Sequence, residues 1–182
     1  MERKLVLTGF MATGKSAIGA KVARRLGWPL KDSDHEIELR AGKAIVTIFA
    51  EDGEPRFRAL EREVIAELAA DPRPAVIATG GGALVDDQNY AALSRTGVII
   101  CLAARPEVIA ARVSRSAEAR PKLLESDQPL ESRIKELLAA RAAAYARAAA
   151  TIDTSDLTQS QVAERVLAAF AQHGGHRCGA SA

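Results

Sequence analysis

The run Gly9-Phe10-Met11-Ala12-Thr13-Gly14-Lys15-Ser16 constrains this chain more than any other feature. It follows the apolar stretch Leu5-Val6-Leu7-Thr8 and precedes a segment whose apolar residues, Ile18, Val22 and Leu26, recur at helical spacing. Strand, glycine loop and helix in that order form a phosphate-binding P-loop. Backbone N–H groups of the loop and of the helix N-terminus point at phosphate oxygens, so bulky side chains must stay away. Lys15 then brings a positive charge to the β- and γ-phosphates, and the Ser16 hydroxyl is placed to ligate Mg²⁺.

A P-loop lies between a strand and a helix of a parallel sheet, and the rest of the chain fits that setting. Short apolar runs alternate with helical patterns, which reads as a three-layer α/β fold. The strands are expected at Lys4–Thr8, Pro29–Lys31, Ala75–Ala78, Val98–Leu102 and Thr151–Asp153. The first helix is expected from Lys15 to Leu26, closed by Gly27. Asp34 to Asp71 is too long for a simple crossover and predicts two or three helices in a separate small lobe. Asp71-Pro72-Arg73-Pro74 breaks the helix before the third strand. Helices are also expected over Arg105–Ser114, Leu130–Ala149 and from Thr158 to near His173. Thr158 and Gln161 stand at the spacing of a capping box.

With 182 residues the chain suits one domain, taken as 1–173, with a disordered tail over 174–182. Lys and Arg number 25 against 23 Asp and Glu, a net charge of +2, which speaks against a nucleic-acid-coating protein. No apolar run approaches the roughly 18 residues of a membrane span, and no signal peptide is visible, so a cytoplasmic setting is expected. Cys101 lies in an apolar run and reads as a core thiol; Cys178 falls in the polar tail. Between Arg105 and Lys122 five basic residues (Arg105, Arg112, Arg115, Arg120, Lys122) face two acidic ones (Glu107, Glu118). Such a bias beside a polyphosphate site suggests a lid over about 114–128. A solvated charged surface has the same composition.

The phosphoryl acceptor must be read from what else points toward the loop. Asp32 and Asp34 follow the second strand, and in extended chain their carboxylates would share one side, roughly 6–7 Å apart. One would serve a metal or its waters, the other would take a proton from an acceptor hydroxyl. The same residues also suit a helix N-cap at Ser33 or Asp34. Phe57 and Glu61 share a helix face, with Arg58 one turn before Glu61. With Phe49, they outline a pocket apolar on one wall and anion-binding on the other. Arg58 could equally form a surface ion pair with Glu54. Gly80-Gly81-Gly82 after the third strand would let a ligand reach backbone amides at a carboxyl edge. Arg141 and Tyr145 share a helix face.

Taken together, these motifs resemble those of the shikimate kinases over about Lys4 to Leu167. They are the Gly-Phe-Met loop with Gly-Lys-Ser; Asp32-Ser33-Asp34 with Ile37-Glu38; and Ile48-Phe49, Gly53-Glu54, Phe57-Arg58 and Glu61. Ala78-Thr79-Gly80-Gly81-Gly82-Ala83, Arg120-Pro121 with Leu123-Leu124, Arg141 with Tyr145, and Ile152-Asp153-Thr154 complete the set. The resemblance implies a P-loop kinase fold with a five-stranded parallel sheet, a small helical substrate lobe (about 34–71) and a mobile lid. It implies transfer of the ATP γ-phosphoryl group to the 3-hydroxyl of shikimate, a step of aromatic amino-acid (chorismate) biosynthesis. It further implies Mg²⁺ as cofactor and ATP and shikimate as the only partners, in a cytoplasmic monomer without nucleic acid or membrane.

Carried over by position, Lys15, Asp34 and Arg120 would be catalytic. Ala12, Thr13, Gly14, Lys15, Ser16, Ala17, Arg120 and Leu157 would contact ATP. Ser16 and Asp32 would hold the metal. Arg58 and Arg141 would clamp the shikimate carboxylate, for which the guanidinium fork is suited. Gly80, Gly81 and Gly82 would offer N–H groups, Phe49 and Phe57 would line the apolar side, and Asp34 and Glu61 would complete the acceptor pocket.

Three positions depart from the family pattern. Ala12 stands where a further glycine is usual, and a negative φ is expected there. Lys122 replaces a commonly apolar residue. Leu157 stands where a longer polar side chain usually meets adenine. A kinase for another hydroxylated acceptor, such as gluconate or a nucleoside monophosphate, is the alternative within the fold. A catalytically silent binding protein is the alternative outside enzymes.

Overall fold

A computed structural model of the chain describes residues 4–115 and 128–174. The proposed lid, with Arg120 and Lys122, falls almost wholly outside those residues, as do Cys178 and all but the first residue of the tail. The sheet has five parallel strands in the order β2-β3-β1-β4-β5. They are β1 (Lys4–Gly9), β2 (Leu30–Asp32), β3 (Val76–Ala78), β4 (Gly97–Ala103) and β5 (Ala150–Asp153). Strand β2 starts one residue later than the sequence suggests. Pro29 has no N–H for the ladder, though its carbonyl still accepts from Val76 N–H at 3.0 Å.

The central strand β1 is buried along its whole length, so its apolar run serves both faces. Leu5 and Leu7 point to one side, into a core with Ile18, Val22, Val166 and Phe170. Val6 points to the other, with Ile65, Ile77, Leu93 and Ile99. The first core is covered by α1 (Lys15–Leu26) and the last helix, Gln159–Gln172. The second is covered by α4 (Gly53–Ala70) and α5 (Asp87–Thr96). Helix α1 has the bounds read from sequence, and Gly27 closes it at φ 68°, its N–H donating to the Ala23 and Arg24 carbonyls. The Thr158 capping box is present in full.

The stretch between β2 and β3 folds as α2 (Ser33–Ala41), α3 (Ile45–Glu51) and α4. Ile37, Ile48, Phe57, Leu60 and Val64 form a small core beside the sheet, and α4 joins it to the sheet core through Ile65 and Ala69. Beyond β4 come α6 (Pro106–Ser114) and α7 (Leu130–Tyr145). Helix α7 ends at Tyr145 rather than near Ala149. The chain must turn there to enter β5, and Ala149 N–H already donates to Ile99 O of β4 at 2.8 Å. With the last helix numbered α8, each helix packs on the sheet, in the lobe, or, for α6 and α7, on one another. Cys101 is buried, which pushes its thiol up to about 11 and keeps it a packing residue. Among the described residues no helix is long and apolar enough to cross a membrane.

Candidate active site

The carboxyl ends of β1, β2 and β3 open into one cavity of about 680 Å³. This edge is where the strand order reverses, so the loops leaving β1 and β3 diverge and leave a crevice. The P-loop forms its floor. Helix α1 begins at Lys15, with Gly14 as its N-cap at φ 96°, no side-chain cap and no acidic residue in its first turn. Its first N–H groups therefore face the cavity rather than a capping oxygen. Thr13 stabilises the loop from inside: its hydroxyl donates to Phe10 O at 2.8 Å. Lys15 Nζ donates to the same carbonyl at 2.9 Å, which folds the ammonium back over the loop.

Ala12 has φ 59°, the left-handed conformation, contrary to the negative φ expected for it. Loop closure dictates the backbone here. Holding a non-glycine residue there costs about 1–2 kcal/mol, and a surrounding contact offsets it. Arg112 of α6 donates from Nη1 to the Ala12 carbonyl at 3.2 Å and to Thr154 Oγ1 at 3.0 Å. Its Nη2 donates to Thr154 O at 2.9 Å. One guanidinium thus ties the P-loop to the end of β5. From sequence, Arg112 stood only among the charges counted for a lid. The available signal was its place one turn after buried Ile109, on the same helix face.

Asp32 and Asp34 both line the cavity, for a different reason from the one given by extended spacing. The helix begins at Ser33, and Asp32 itself is its N-cap, accepting from Asp34 N–H at 3.1 Å. The other oxygen of Asp32 accepts from Ser16 Oγ at 2.7 Å. Asp34 sits in the first turn with Oδ1 buried and unpartnered. Burial, then the Asp32 carboxylate, raises its pKa to about 6, with Lys15 pulling the other way.

Across the cavity, Arg58 on α4 donates from Nη1 to Glu61 at 2.6 Å and from Nη2 to Glu54 at 3.1 Å. The surface-pair reading is therefore half right, because Glu54 is a partner but buried Glu61 is the closer one. Burial raises the Glu61 pKa and Arg58 opposes that; the second oxygen of Glu61 has no partner. Phe49 and Phe57 stack at 4.7 Å and form the apolar wall.

The glycine run explains itself by what approaches it. A Cβ on Gly80 would stand 2.7 Å from Asp34 Oδ1 and 3.2 Å from Glu61 Oε1. On Gly81 it would stand 3.2 Å from Gly9 O, and on Gly82 3.0 Å from Arg58 Nη2. The three glycines let the acidic pair, the P-loop and the arginine converge on one turn. Gly80 N–H is engaged by Ser33 Oγ at 3.0 Å, so that amide braces the turn instead of facing a ligand. Arg141 lines the cavity from α7 and is 8 % exposed, lying over the Phe10 ring.

Gly14, Ala17 and the remaining acceptor residues named from sequence all reach this cavity. Among the described nucleotide residues, two are not in its lining. Thr13 is buried inside the loop, and half-buried Leu157 packs against the edge of the core under α1 and α8. Ile45 and Val46 line the lobe side and were not among the site residues read from the sequence.

A family model described as shikimate kinase matches residues 11–171. The chain belongs to the shikimate kinase family. A shikimate kinase from Thermodesulfovibrio yellowstonii is 44 % identical over 165 residues, covering 91 % of this chain and 93 % of that protein. One from Desulforudis audaxviator is 49 % identical over 152 residues, covering 84 % and 78 %. Among solved structures, the shikimate kinase from Acinetobacter baumannii in complex with shikimate matches with a TM-score of 0.87. It is 32 % identical and 96 % of each chain is covered. A gluconokinase from Sinorhizobium meliloti, 17 % identical with a TM-score of 0.61, shares the fold.

Proposed function

We propose that the chain transfers the γ-phosphoryl group of ATP to the 3-hydroxyl of shikimate, giving shikimate 3-phosphate and ADP. The observation that carries this reading is the unpartnered Asp34 Oδ1. It lies buried between the P-loop and a glycine turn flanked by Arg58 and Arg141. A carboxylate with an open valence beside a phosphate loop suits a hydroxyl acceptor. Two arginines on the far side suit that acceptor's carboxylate.

In this reading Asp34 accepts the hydroxyl proton. Its pKa near 6 leaves it ionised at neutral pH yet basic enough to hold a proton. The α1 N-terminus and Lys15 bind the phosphates and oppose the charge that builds on them, and the lobe presents the acceptor in line. The Ser16 hydroxyl and Asp32 carboxylate, 2.7 Å apart, are hard oxygen donors of the kind Mg²⁺ takes alongside water and phosphate. They would hold the ion, which neutralises phosphate charge when bound. Arg120 as a transition-state stabiliser rests on its Arg-Pro motif alone. We further take residues 1–173 as one domain, acting as a monomer in the cytoplasm, with 34–71 as the acceptor lobe.

The test is ADP release from Mg-ATP with shikimate, gluconate or nucleoside monophosphates as acceptor. Turnover with shikimate alone is expected; ATP binding without turnover on shikimate would overturn the acceptor assignment. Arg58→Ala and Arg141→Ala should each weaken shikimate binding by about 2–5 kcal/mol with the KM for ATP nearly unchanged. An equal loss for both substrates would refute the carboxylate clamp.

A further inference from the structure

Tyr145, the last residue of α7, stands one turn after Arg141, and both side chains converge on one atom. Tyr145 Oη lies 2.6 Å from the Gly81 carbonyl oxygen, and Arg141 Nη1 lies 3.3 Å from it. The short bond is the phenol's; the arginine's is long. Burial pushes the Tyr145 hydroxyl up to about 12, so it stays protonated and a donor throughout the working range. Among the described residues there is no cis peptide, so Gly82 N–H points away from the carbonyl these two side chains hold. The turn so held packs directly on the P-loop, with Gly9 O 3.2 Å from where a Gly81 Cβ would be.

We propose that Tyr145 is a positioning residue that sets the preference of the acceptor site for a carboxylate. By occupying the Gly81 carbonyl, the phenol leaves Arg141 only a long, single-nitrogen contact there. Apart from this contact and its approach to the phenol oxygen, the guanidinium fork stays available to an anionic acceptor. Without the hydroxyl, the carbonyl would be left to Arg141. A buried acceptor draws its remaining donor closer, and the fork turns from the acceptor toward the backbone. This inference rests on the shikimate kinase reading and assigns its acceptor specificity to a residue beside the clamp.

The test compares shikimate with its methyl ester, a neutral acceptor of nearly the same shape, in the intact protein and in Tyr145→Phe. The acid's kcat/KM should fall about tenfold in the variant, the worth of one buried hydrogen bond. The ester's kcat/KM and the KM for ATP should not change. In an Arg141→Gln background, Tyr145→Phe should leave the acid-to-ester ratio unaltered, because the residue it positions is gone. Acid and ester are measured on the same preparation, so a smaller folded fraction lowers both alike and leaves their ratio readable. An unchanged ratio in Tyr145→Phe, including an equal loss for acid and ester, would overturn the inference while leaving the reaction assignment standing. Absence of shikimate turnover by the unaltered protein would overturn both.

Discussion

Asp34 is a buried carboxylate whose charge its surroundings oppose. Its folded pKa, about 6, lies above the ordinary 3.8, because burial and Asp32 disfavour its charge. The sign follows from linkage. The folded state binds this proton more tightly than the unfolded state, so the protein is favoured below pH 3.8. That advantage is lost as pH rises through 6. Asp34→Asn should therefore stabilise the metal-free protein at pH 7 by on the order of 2 kcal/mol, with no gain below about pH 4. Melting curves across that range check it, and destabilisation at pH 7 would show that Asp34 is held by contacts rather than strained by charge. With Asp34 as the base proposed above, the same pKa puts the acid limb of kcat/KM near 6, activity rising with pH. Ala12 carries a second local cost. Ala12→Gly relieves a left-handed Ala but frees the unfolded chain, two terms near 1 kcal/mol of opposite sign. Chemical denaturation should find stability within about 0.5 kcal/mol of the parent, and the KM for ATP should not change.

At the scale of elements, two kinds of connection build the site. Chain-local ones were legible in the sequence: the bounds of α1, its Gly27 stop and the Thr158 capping box each depend on residues within one turn. Connections across elements were not. Arg112 joins α6 to the P-loop and to Thr154, and nothing in the neighbouring sequence names either partner. The placement of Asp32 and Asp34 shows the same limit. Both were found, yet from a strand spacing that the start of α2 at Ser33 replaces. Arg112→Lys keeps the charge but loses the fork, so it cannot hold Ala12 and Thr154 together. It should lower the melting temperature by a few degrees, the worth of about 1–2 kcal/mol, and raise the KM for ATP severalfold. Calorimetry and initial rates test this, and a KM for ATP equal to the parent's would separate Arg112 from the loop.

At the scale of the molecule, the order of the strands decides where the chemistry can stand. With β1 central and flanked by β3 and β4, the ends of three strands bring the P-loop, the Asp32–Asp34 turn and the glycine run to one crevice. Close packing of β1 on β4 fixes that arrangement. A Cβ on Gly9 would stand 2.1 Å from the Leu102 carbonyl, at φ 131°, where side chains are strained in any case. Gly9→Ala should thus cost several kcal/mol and be seen as loss of soluble, cooperatively melting protein; a normal melt would show that the strand ends can move apart.

The sequence by itself determined the class of fold, the P-loop and most of the residues that line the cavity. Each rests on local periodicity, on turn chemistry or on motifs whose spacing reflects a shared chemistry. Only the tertiary structure decided the sign of φ at Ala12, the engagement of Gly80 N–H by Ser33, the packing of half-buried Leu157 against the core and the convergence of Arg141 and Tyr145 on Gly81. Those outcomes depend on distances between segments far apart in the chain. They are set by how the layers close-pack, which no local pattern of residues encodes.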